Sequence, residues 1–190
     1  MSNDFIELQS NATLIDASYA QELAVAGITS AFISLLSHQE AHHDHLAGLE
    51  GAFQPCLDGI DALITAGIPV TLNPVVATPT QTLVVDFVHF VAKRFPKIRS
   101  ISLSAVQPHG RAARSLDLLP DYAILKDVIP HALQAAKQHG IELLNPYCGL
   151  PLCIGWQTNQ QNCVEAFEAR RGGFDTPGLR NESNKSQQGD

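Results

Sequence analysis

Short apolar runs alternate along the chain with longer stretches whose apolar residues recur at helical spacing. The runs have the length and composition of buried strands, and they begin near Phe5, Ala31, Val70, Ile98 and Ile141. The stretches between them predict helices over residues 18–26, 52–66 and 121–139, and over a segment that ends before Pro96. This alternation predicts a parallel sheet with helices packed outside it.

Residues with capping chemistry lie near the starts of the predicted helices. Asp16 is predicted to cap the first helix, and Thr78 or Thr80 the one that ends before Pro96. Pro130 fits the first turn of a helix better than its interior, so the last helical region is predicted to restart there.

The number of strands indicates an incomplete barrel. About five βα units are too few to close an eight-stranded barrel, so the predicted fold is α/β, a partial TIM-like parallel-sheet barrel. Residues 1–155 are assigned to this barrel, and residues 156–190 to a C-terminal extension. Within the extension we expect a short helix over 164–171 and a disordered polar tail over 181–190. Ligands are expected at the carboxyl ends of the strands.

The stretch 27–51 joins a buried strand to a polar segment and then to a helix. Ser34 is the polar exception in the apolar run. Residues 37–45 are predicted to form a loop, and Asp44 is predicted to cap the helix that follows. The histidines of this segment are His38, His42, His43 and His45. Two of them would share a helical face, but the set matches no standard zinc motif, so a solvated loop is the favoured interpretation.

Net charge narrows the classes of partner. The formal charge is −7 with only twelve Lys and Arg residues, which leaves no basic patch for nucleic acid. No apolar run approaches the roughly 20 residues of a membrane span, and the N-terminus has no signal-peptide pattern, so a cytoplasmic location is predicted. The four cysteines are then expected to be thiols or metal ligands rather than disulfides.

The order of several short motifs resembles a known enzyme family. In chain order the motifs are SNATLID, FISLLS followed by HDHLAGLEGAF, VTLNPVV, SLSAVQPHGRA followed by LLPDY, and NPYCGLPLC. Together they resemble the middle and late part of a radical S-adenosylmethionine (radical SAM) enzyme. The resemblance is closest to the branch with extra iron–sulfur clusters in a C-terminal extension, and it covers about residues 5–156.

The resemblance implies both an activity and an incomplete chain. Radical SAM enzymes bind a [4Fe–4S] cluster and S-adenosylmethionine (SAM), cleave SAM to a 5′-deoxyadenosyl radical, and abstract hydrogen from a substrate, for which we expect a peptide. The family's C-x3-C-x2-C loop and Gly-Gly-Glu segment are absent from this sequence. We therefore expect a protein truncated at its N-terminus and also at its C-terminus, and inactive alone.

Two alternatives remain open at this point. The first is a non-catalytic remnant or one subunit of a split barrel, in which a partner chain or a second copy covers the exposed edge of the first strand. The second is an ordinary α/β enzyme with a phosphate-binding loop, for which Gly110 alone gives little support.

The resemblance also implies a cofactor site. Aligned residue by residue, the matched positions are Asn11, Ser34, Asn73, Val106, Gln107 and Pro108. The first matches a loop beside substrate and cofactor, although Ala12 replaces the usual glycine there. Ser34 and Asn73 match residues near the ribose, and the last three match the adenine-binding strand end. The alternatives are a hydroxyl bonded inside the sheet for Ser34, and an Asn-Pro turn for Asn73.

Three cysteines after the last strand are candidate metal ligands. Cys148, Cys153 and Cys163 occupy the region where cluster-bearing extensions begin in this family, although a cluster needs four ligands. The alternative is that they are ordinary thiols, as is predicted for Cys56 in the core. Arg111 and Arg114 could meet an anionic group, but solvated loop charges are favoured.

Overall fold

Five parallel strands form the main sheet of this computed structural model, which describes residues 5–164. They are β1 (Glu7–Ser10), β2 (Ser30–Ile33), β3 (Val70–Leu72), β5 (Ser100–Ser102) and β7 (Glu142–Leu144), in the order β1-β2-β3-β5-β7. Two short strands, β4 (Val75–Val76) and β6 (Ser104–Ala105), pair in parallel just beyond β3 and β5. The predicted α/β class with a partial parallel sheet is confirmed.

Helices follow the strands, and all but the second helix were predicted from the apolar pattern. They are α1 (Ala17–Val25), α2 (Glu40–Ala47), α3 (Phe53–Thr65), α4 (Val84–Arg94) and α5 (Tyr122–Gln138). None of the helices in the described part of the chain is long and apolar enough to cross a membrane. The Asp16 cap is confirmed, because its Oδ1 accepts a hydrogen bond from the Tyr19 N–H at 2.8 Å.

The strand register separates an apolar face of the sheet from a polar one. Ile33, Leu72, Ile101 and Leu143 are register partners, and all are buried in the same core cluster as the helical residues. The next row along the register consists of Phe32, Thr71, Ser100 and Glu142, none of them fully buried. Because side chains alternate across a strand, the second row points to the other face. That face is therefore less buried than the face that carries the core residues.

The polar segment 37–45 is not a loop, as predicted, because residues 40–47 form α2. The side of α2 that faces the core carries a histidine rather than aliphatic residues, so the sequence shows no apolar stripe that would predict a helix. His43 is 2% exposed, and its ring packs edge-on against Phe53 with centroids 5.5 Å apart. The helix ends at Gly48, whose φ of 70° gives the left-handed C-cap that glycine adopts easily.

Asp44 lies inside α2 rather than immediately before α3, where it was predicted. Its carboxylate nevertheless accepts hydrogen bonds from two N–H groups at the start of α3, those of Gly51 at 2.6 Å and Phe53 at 2.9 Å. The residue therefore caps α3 from the preceding helix and ties the two helices together.

The predicted restart at Pro130 is wrong, since α5 runs through that residue without a break. Proline removes one helical hydrogen bond, but the helix continues because its apolar face remains packed. Leu125, Ile129 and Ala132 on that face are completely buried. Gly155 packs against the same turn, where an added β-carbon would lie 2.7 Å from the Ile129 Cβ.

Neither predicted threonine caps α4, whose N-cap is Leu83 without a side-chain bond. The Thr80 hydroxyl instead accepts a hydrogen bond from the Ala77 N–H at 3.0 Å and closes a turn. The Thr78 hydroxyl lies 2.6 Å from the Asp117 carbonyl oxygen and 2.8 Å from that of Leu119. These threonines shape the connections around the sheet rather than the helix.

After β7 the chain folds back against the sheet. The Asn145 N–H donates to the Asn162 carbonyl at 2.9 Å, and the Asn145 carbonyl accepts from the Val164 N–H at 3.0 Å. Trp156 is completely buried within this segment. Except for Val164, the helix predicted over 164–171 lies outside the described residues, and so does the tail predicted over 181–190.

Candidate functional site

A cleft of about 460 Å³ opens at the carboxyl ends of β2, β4 and β6. Leu36, Val75 and Val106 line it from the strand ends, and together they provide an apolar floor. Leu46 contributes from α2, and Leu118 from the segment that follows β6. The cleft is at the sheet edge where parallel α/β folds bind ligands.

The α2 wall is held in place by buried polar contacts. The Leu36 N–H donates a hydrogen bond to the His43 Nδ1 at 3.2 Å, so that nitrogen is unprotonated and the proton is on Nε2. Burial lowers the pKa of His43, while the nearby Asp44 acts in the opposite direction. The second wall, residues 107–119, is tied to Thr78 by the hydroxyl contacts described above.

Asn73 presents a fixed acceptor at the carboxyl end of β3. It is 7% exposed, and its Nδ2 donates to the Ser102 carbonyl at 2.6 Å and to the Ser104 Oγ at 2.7 Å. A carbonyl only accepts hydrogen bonds, so the amide orientation is determined by this partner. Both N–H groups are used, which leaves Oδ1 as the group that can bind a ligand donor.

Ser34 lies next to Asn73 in the strand register, one position beyond the Ile33–Leu72 pair. Its N–H donates to the Ser10 carbonyl at 3.0 Å, and its side chain is half-buried. Within residues 5–164 the hydroxyl has no hydrogen-bond partner. Two polar groups with unused capacity therefore adjoin each other at the strand ends.

Asn11 does not line the cleft. Its Oδ1 accepts hydrogen bonds from the Thr13 N–H at 3.2 Å and the Thr13 hydroxyl at 3.0 Å, which form a local turn. Ala12, where the resemblance leads one to expect glycine, has a φ of 60°. This left-handed conformation explains the family preference, because glycine adopts it without the steric cost that alanine incurs.

Of the three residues predicted at the adenine-binding strand end, only Val106 lines the cleft. Its N–H donates to the Val76 carbonyl at 2.9 Å and extends the β4–β6 pairing. Gln107 is half-buried, and its carbonyl accepts the His109 N–H at 2.7 Å. Pro108 is exposed. The tight turn between Gln107 and His109 brings the latter back to the cleft wall.

The candidate metal ligands are not gathered into one site. Cys163 is buried near Asn145, whose Nδ2 lies 3.6 Å from its sulfur, whereas Cys148 and Cys153 are exposed. The Cys148 sulfur lies 3.1 Å from the Ser104 Oγ. Over residues 5–164, no three His, Cys, Asp or Glu side chains are grouped so that they could hold a metal ion.

Cys56 is in the core, as its position on the apolar stripe of α3 predicts. It is completely buried, and burial raises the pKa of its thiol to about 12. The thiol is therefore protonated at neutral pH and is unsuited to bind a metal.

His38 lies beside the cleft rather than in it. Its ring packs against Phe87 and Phe90, with centroid distances of 6.4 and 5.9 Å. Burial lowers its pKa, with Asp86 raising it and His42 lowering it further. Its Nδ1 is buried without a partner among the described residues, next to a cavity of about 20 Å³. That volume is enough for one water molecule.

Two cleft residues, His45 and His109, were not among the predicted site residues. The first was assigned to a solvated loop, because α2 could not be recognised from apolar periodicity. The second directly follows the predicted strand end. The i, i+3 and i, i+4 spacing of histidines before Gly48 was the signal available for a helix with a polar inner edge.

The sequence has curated relatives in one enzyme class. It is 30% identical over 124 residues to AdoMet-dependent heme synthase of Nitratidesulfovibrio vulgaris, a match to 63% of this chain and 32% of that protein. It is 31% identical over 72 residues to AdoMet-dependent heme synthase of Methanosarcina barkeri, a match to 38% of this chain and 21% of that protein. The chain thus spans a third or less of these relatives' length. No family model matches the sequence.

Solved structures share the fold at low sequence identity. The protein anSMEcpe, solved with bound AdoMet (another abbreviation for SAM) and Kp18Cys peptide, superposes with a TM-score of 0.59 at 14% identity, over 73% of this chain and 40% of that one. HydG, a maturase of the [FeFe]-hydrogenase, has a TM-score of 0.59 at 12% identity, over 80% and 36% of the two chains. Together with the curated relatives, this shared fold supports the resemblance of the chain to the radical SAM superfamily.

Proposed function

We propose that this chain binds SAM at the carboxyl ends of its strands, as part of a radical SAM enzyme. The observation that supports the proposal most directly is the cleft with an apolar floor at the carboxyl ends of the strands. Ser34 and Asn73, at the ends of β2 and β3, do not line this cleft but offer polar groups at the same edge of the sheet. An adenine ring would lie on the floor made by Val75 and Val106, and the ribose hydroxyls would meet the Asn73 Oδ1 and the Ser34 hydroxyl. A hydroxyl-rich group with one apolar face matches this set of donors and acceptors.

The residues present fit SAM better than they fit an iron–sulfur cluster. A [4Fe–4S] cluster is held by four thiolates, and the described residues 5–164 place no three ligands together. No reaction step is therefore assigned to a cluster held by this chain's own residues. Cys148, Cys153 and Cys163 remain proposed ligands of an auxiliary cluster, which iron and sulfide analysis after anaerobic reconstitution would test.

In the complete enzyme the chain's role would be to hold the nucleoside. A [4Fe–4S] cluster, for which the described residues offer no site, would supply the electron for reductive cleavage of SAM, and the chemistry would serve hydrogen abstraction from the substrate. Ser34 and Asn73 would fix the ribose, and the apolar floor would exclude water from the base.

We propose a peptide as the substrate of the complete enzyme. The C-terminal cysteine pattern and its resemblance to the cluster-rich branch support this class. The curated relatives are named heme synthases, so a tetrapyrrole is the competing class. Production of 5′-deoxyadenosine by the complete enzyme, reconstituted with its cluster and measured with each substrate class, would distinguish them.

The SAM proposal can be tested by isothermal titration calorimetry with the purified chain. Val106→Trp should fill the cleft and weaken SAM binding by more than about tenfold, because its indole occupies the floor. Ser34→Ala should weaken binding by about threefold to tenfold through the loss of one hydrogen bond. Ser18→Ala, an exposed serine on α1, is the matched control. Failure of the unaltered chain to bind SAM would contradict the proposal.

A second candidate function is that of one subunit in a split barrel. In the described part of the chain, β1 has β2 as its only neighbour, and Phe5 and Ile6 are 73% and 45% exposed. The backbone carbonyls of Ile6 and Ser10 accept hydrogen bonds from residues beside β2. Because successive residues of a strand point their backbone N–H and C=O groups to opposite sides, the odd-numbered residues of β1 point theirs away from β2, toward the open edge of the sheet. Gln9→Pro would remove one outward N–H and should abolish pairing at this edge. Sedimentation velocity of the two forms measures the change.

A further inference from the structure

We infer that His89 and His139 form a two-histidine site for a divalent transition-metal ion, with copper(II) and nickel(II) preferred over zinc(II). The site is separate from the proposed SAM cleft, which neither residue lines. It also differs from the metal ligands expected from the sequence, which were Cys148, Cys153 and Cys163.

The two imidazoles meet where α4 and α5 pack together. His89 lies in α4, and His139 is the C-cap residue of α5. The His89 Nδ1 is 2.8 Å from the His139 Nε2, and the ring planes are nearly perpendicular, at 88°. One of these nitrogens carries a proton and donates it to the other. Each neutral ring can instead hold its proton on its second nitrogen, and the two facing nitrogens then offer lone pairs to one metal ion.

The separation of the two nitrogens matches one coordination geometry better than another. With metal–nitrogen bonds of about 2.0–2.1 Å, a cis angle of about 90° places two imidazole nitrogens about 2.8–3.0 Å apart. The tetrahedral angle that zinc(II) favours places them about 3.3–3.4 Å apart. The observed 2.8 Å fits the first arrangement. Square-planar and tetragonal sites of this kind are typical of copper(II) and nickel(II).

Packing of both helices holds the two rings in place before an ion arrives. Val88 and Val91, on either side of His89 in α4, are completely buried, and Ala136 in the last turn of α5 is 1% exposed. His89 and His139 themselves are exposed, so water can occupy the remaining coordination positions. Because the helices are already ordered, ion binding restricts only two side chains, which keeps its entropic cost low.

A bound ion would join two segments that are distant in the sequence. The two histidines are 50 residues apart, so their nitrogens come together only in the folded chain. An ion that binds the folded chain and not the unfolded one stabilises it by mass action. At an ion concentration 100 times the dissociation constant, the unfolding temperature should rise by about 5 °C.

The experiment titrates copper(II), nickel(II) and zinc(II) into four forms of the full chain by calorimetry. All four carry Cys148→Ser and Cys153→Ser, because exposed thiols would compete for these ions. One form has no further change, and the others add His89→Gln, His139→Gln or the control His131→Gln, which alters another exposed histidine of α5. Each pair variant should weaken copper(II) and nickel(II) binding by more than about tenfold, because one of two protein ligands is lost. The control should bind both ions as before.

Electron paramagnetic resonance counts the ligands directly. One equivalent of copper(II) should give a tetragonal spectrum with hyperfine splitting from two nitrogens, and His89→Gln should leave one. The inference is overturned if the form with both histidines binds neither copper(II) nor nickel(II), if both pair variants bind them with unchanged affinity, or if zinc(II) is preferred. SAM binding to the same forms is measured in parallel. Since the pair lies outside the cleft, either proposal can fail while the other stands.

Discussion

Gly59 of α3 lies directly against Ala12, so that a β-carbon on residue 59 would stand 2.1 Å from the Ala12 carbonyl oxygen and 2.9 Å from its Cβ. This contact sets how closely the loop after β1 approaches α3. The Ser10 Oγ accepts the Ala12 N–H at 3.0 Å and completes the tight turn. The loop backbone can therefore lie this close to α3 because Gly59 has no side chain.

Gly59→Ala should destabilise the protein despite improving helix propensity. Propensity alone predicts a gain of about 0.5–1 kcal/mol in the free energy of unfolding. The clash with backbone atoms of Ala12 should outweigh that gain and leave a net loss of about 1–3 kcal/mol. Urea denaturation gives the sign directly. A more stable variant would mean that the loop shifts away at little cost.

Stability should fall as the pH is lowered below neutrality. Burial lowers the pKa of His43 and of His38, so at mildly acidic pH the unfolded chain binds more protons than the folded one. The stabilisation of the folded state that comes from keeping these two histidines neutral is complete above their unfolded-state pKa of about 6.5. It is lost progressively as the pH falls below that value. Urea denaturation between pH 5 and 8 measures this slope.

Substitution should identify the histidine responsible. In His43→Gln the slope of stability against pH should decrease, because the group that must remain neutral is gone. His131→Gln, on the exposed surface of α5, should keep the original slope. An unchanged slope in His43→Gln would show that protonation of this residue is not linked to folding.

Asp44→Ala should loosen the junction between α2 and α3. The carboxylate satisfies the N–H groups of Gly51 and Phe53, and loss of a helix cap costs about 0.5–2 kcal/mol. Because α2 forms one wall of the cleft, SAM affinity should also decrease. Glu50→Ala, an exposed carboxylate in the same connection, should have little effect on either quantity. Thermal unfolding and calorimetry measure the two effects.

Asn145→Ala should weaken the segment that folds back after β7. The side chain accepts the Leu150 N–H and donates to the Leu150 carbonyl, both at 2.8 Å, in a buried site. Its removal leaves both groups unsatisfied, at a cost of about 1–3 kcal/mol for each. Asn159→Ala removes an exposed amide contact to Thr158 and should be nearly neutral. Equal stabilities of the two variants would contradict this role.

The errors in the sequence-based fold have specific physical causes. The helix α2 was missed because His43 occupies the inward position that an aliphatic residue usually fills. The break at Pro130 was predicted from a local rule, which burial of the Ile129 face overrides. The five strands of the main sheet lie in or beside the predicted runs, a signal that depends on neighbouring residues alone. The division of two of these runs into β3 and β4 and into β5 and β6 was not predicted.

The sequence by itself determined the α/β class, the order of the main strands and of every helix except α2, and the positions of Ser34, Asn73 and Val106 at strand ends. Only the tertiary structure decided which polar groups remain available there, since the Asn73 amide is oriented by partners on another strand. It also decided that His45 and His109 share one cleft with Val106. The reason is that hydrophobic periodicity is local, whereas a binding site depends on contacts between residues distant in sequence.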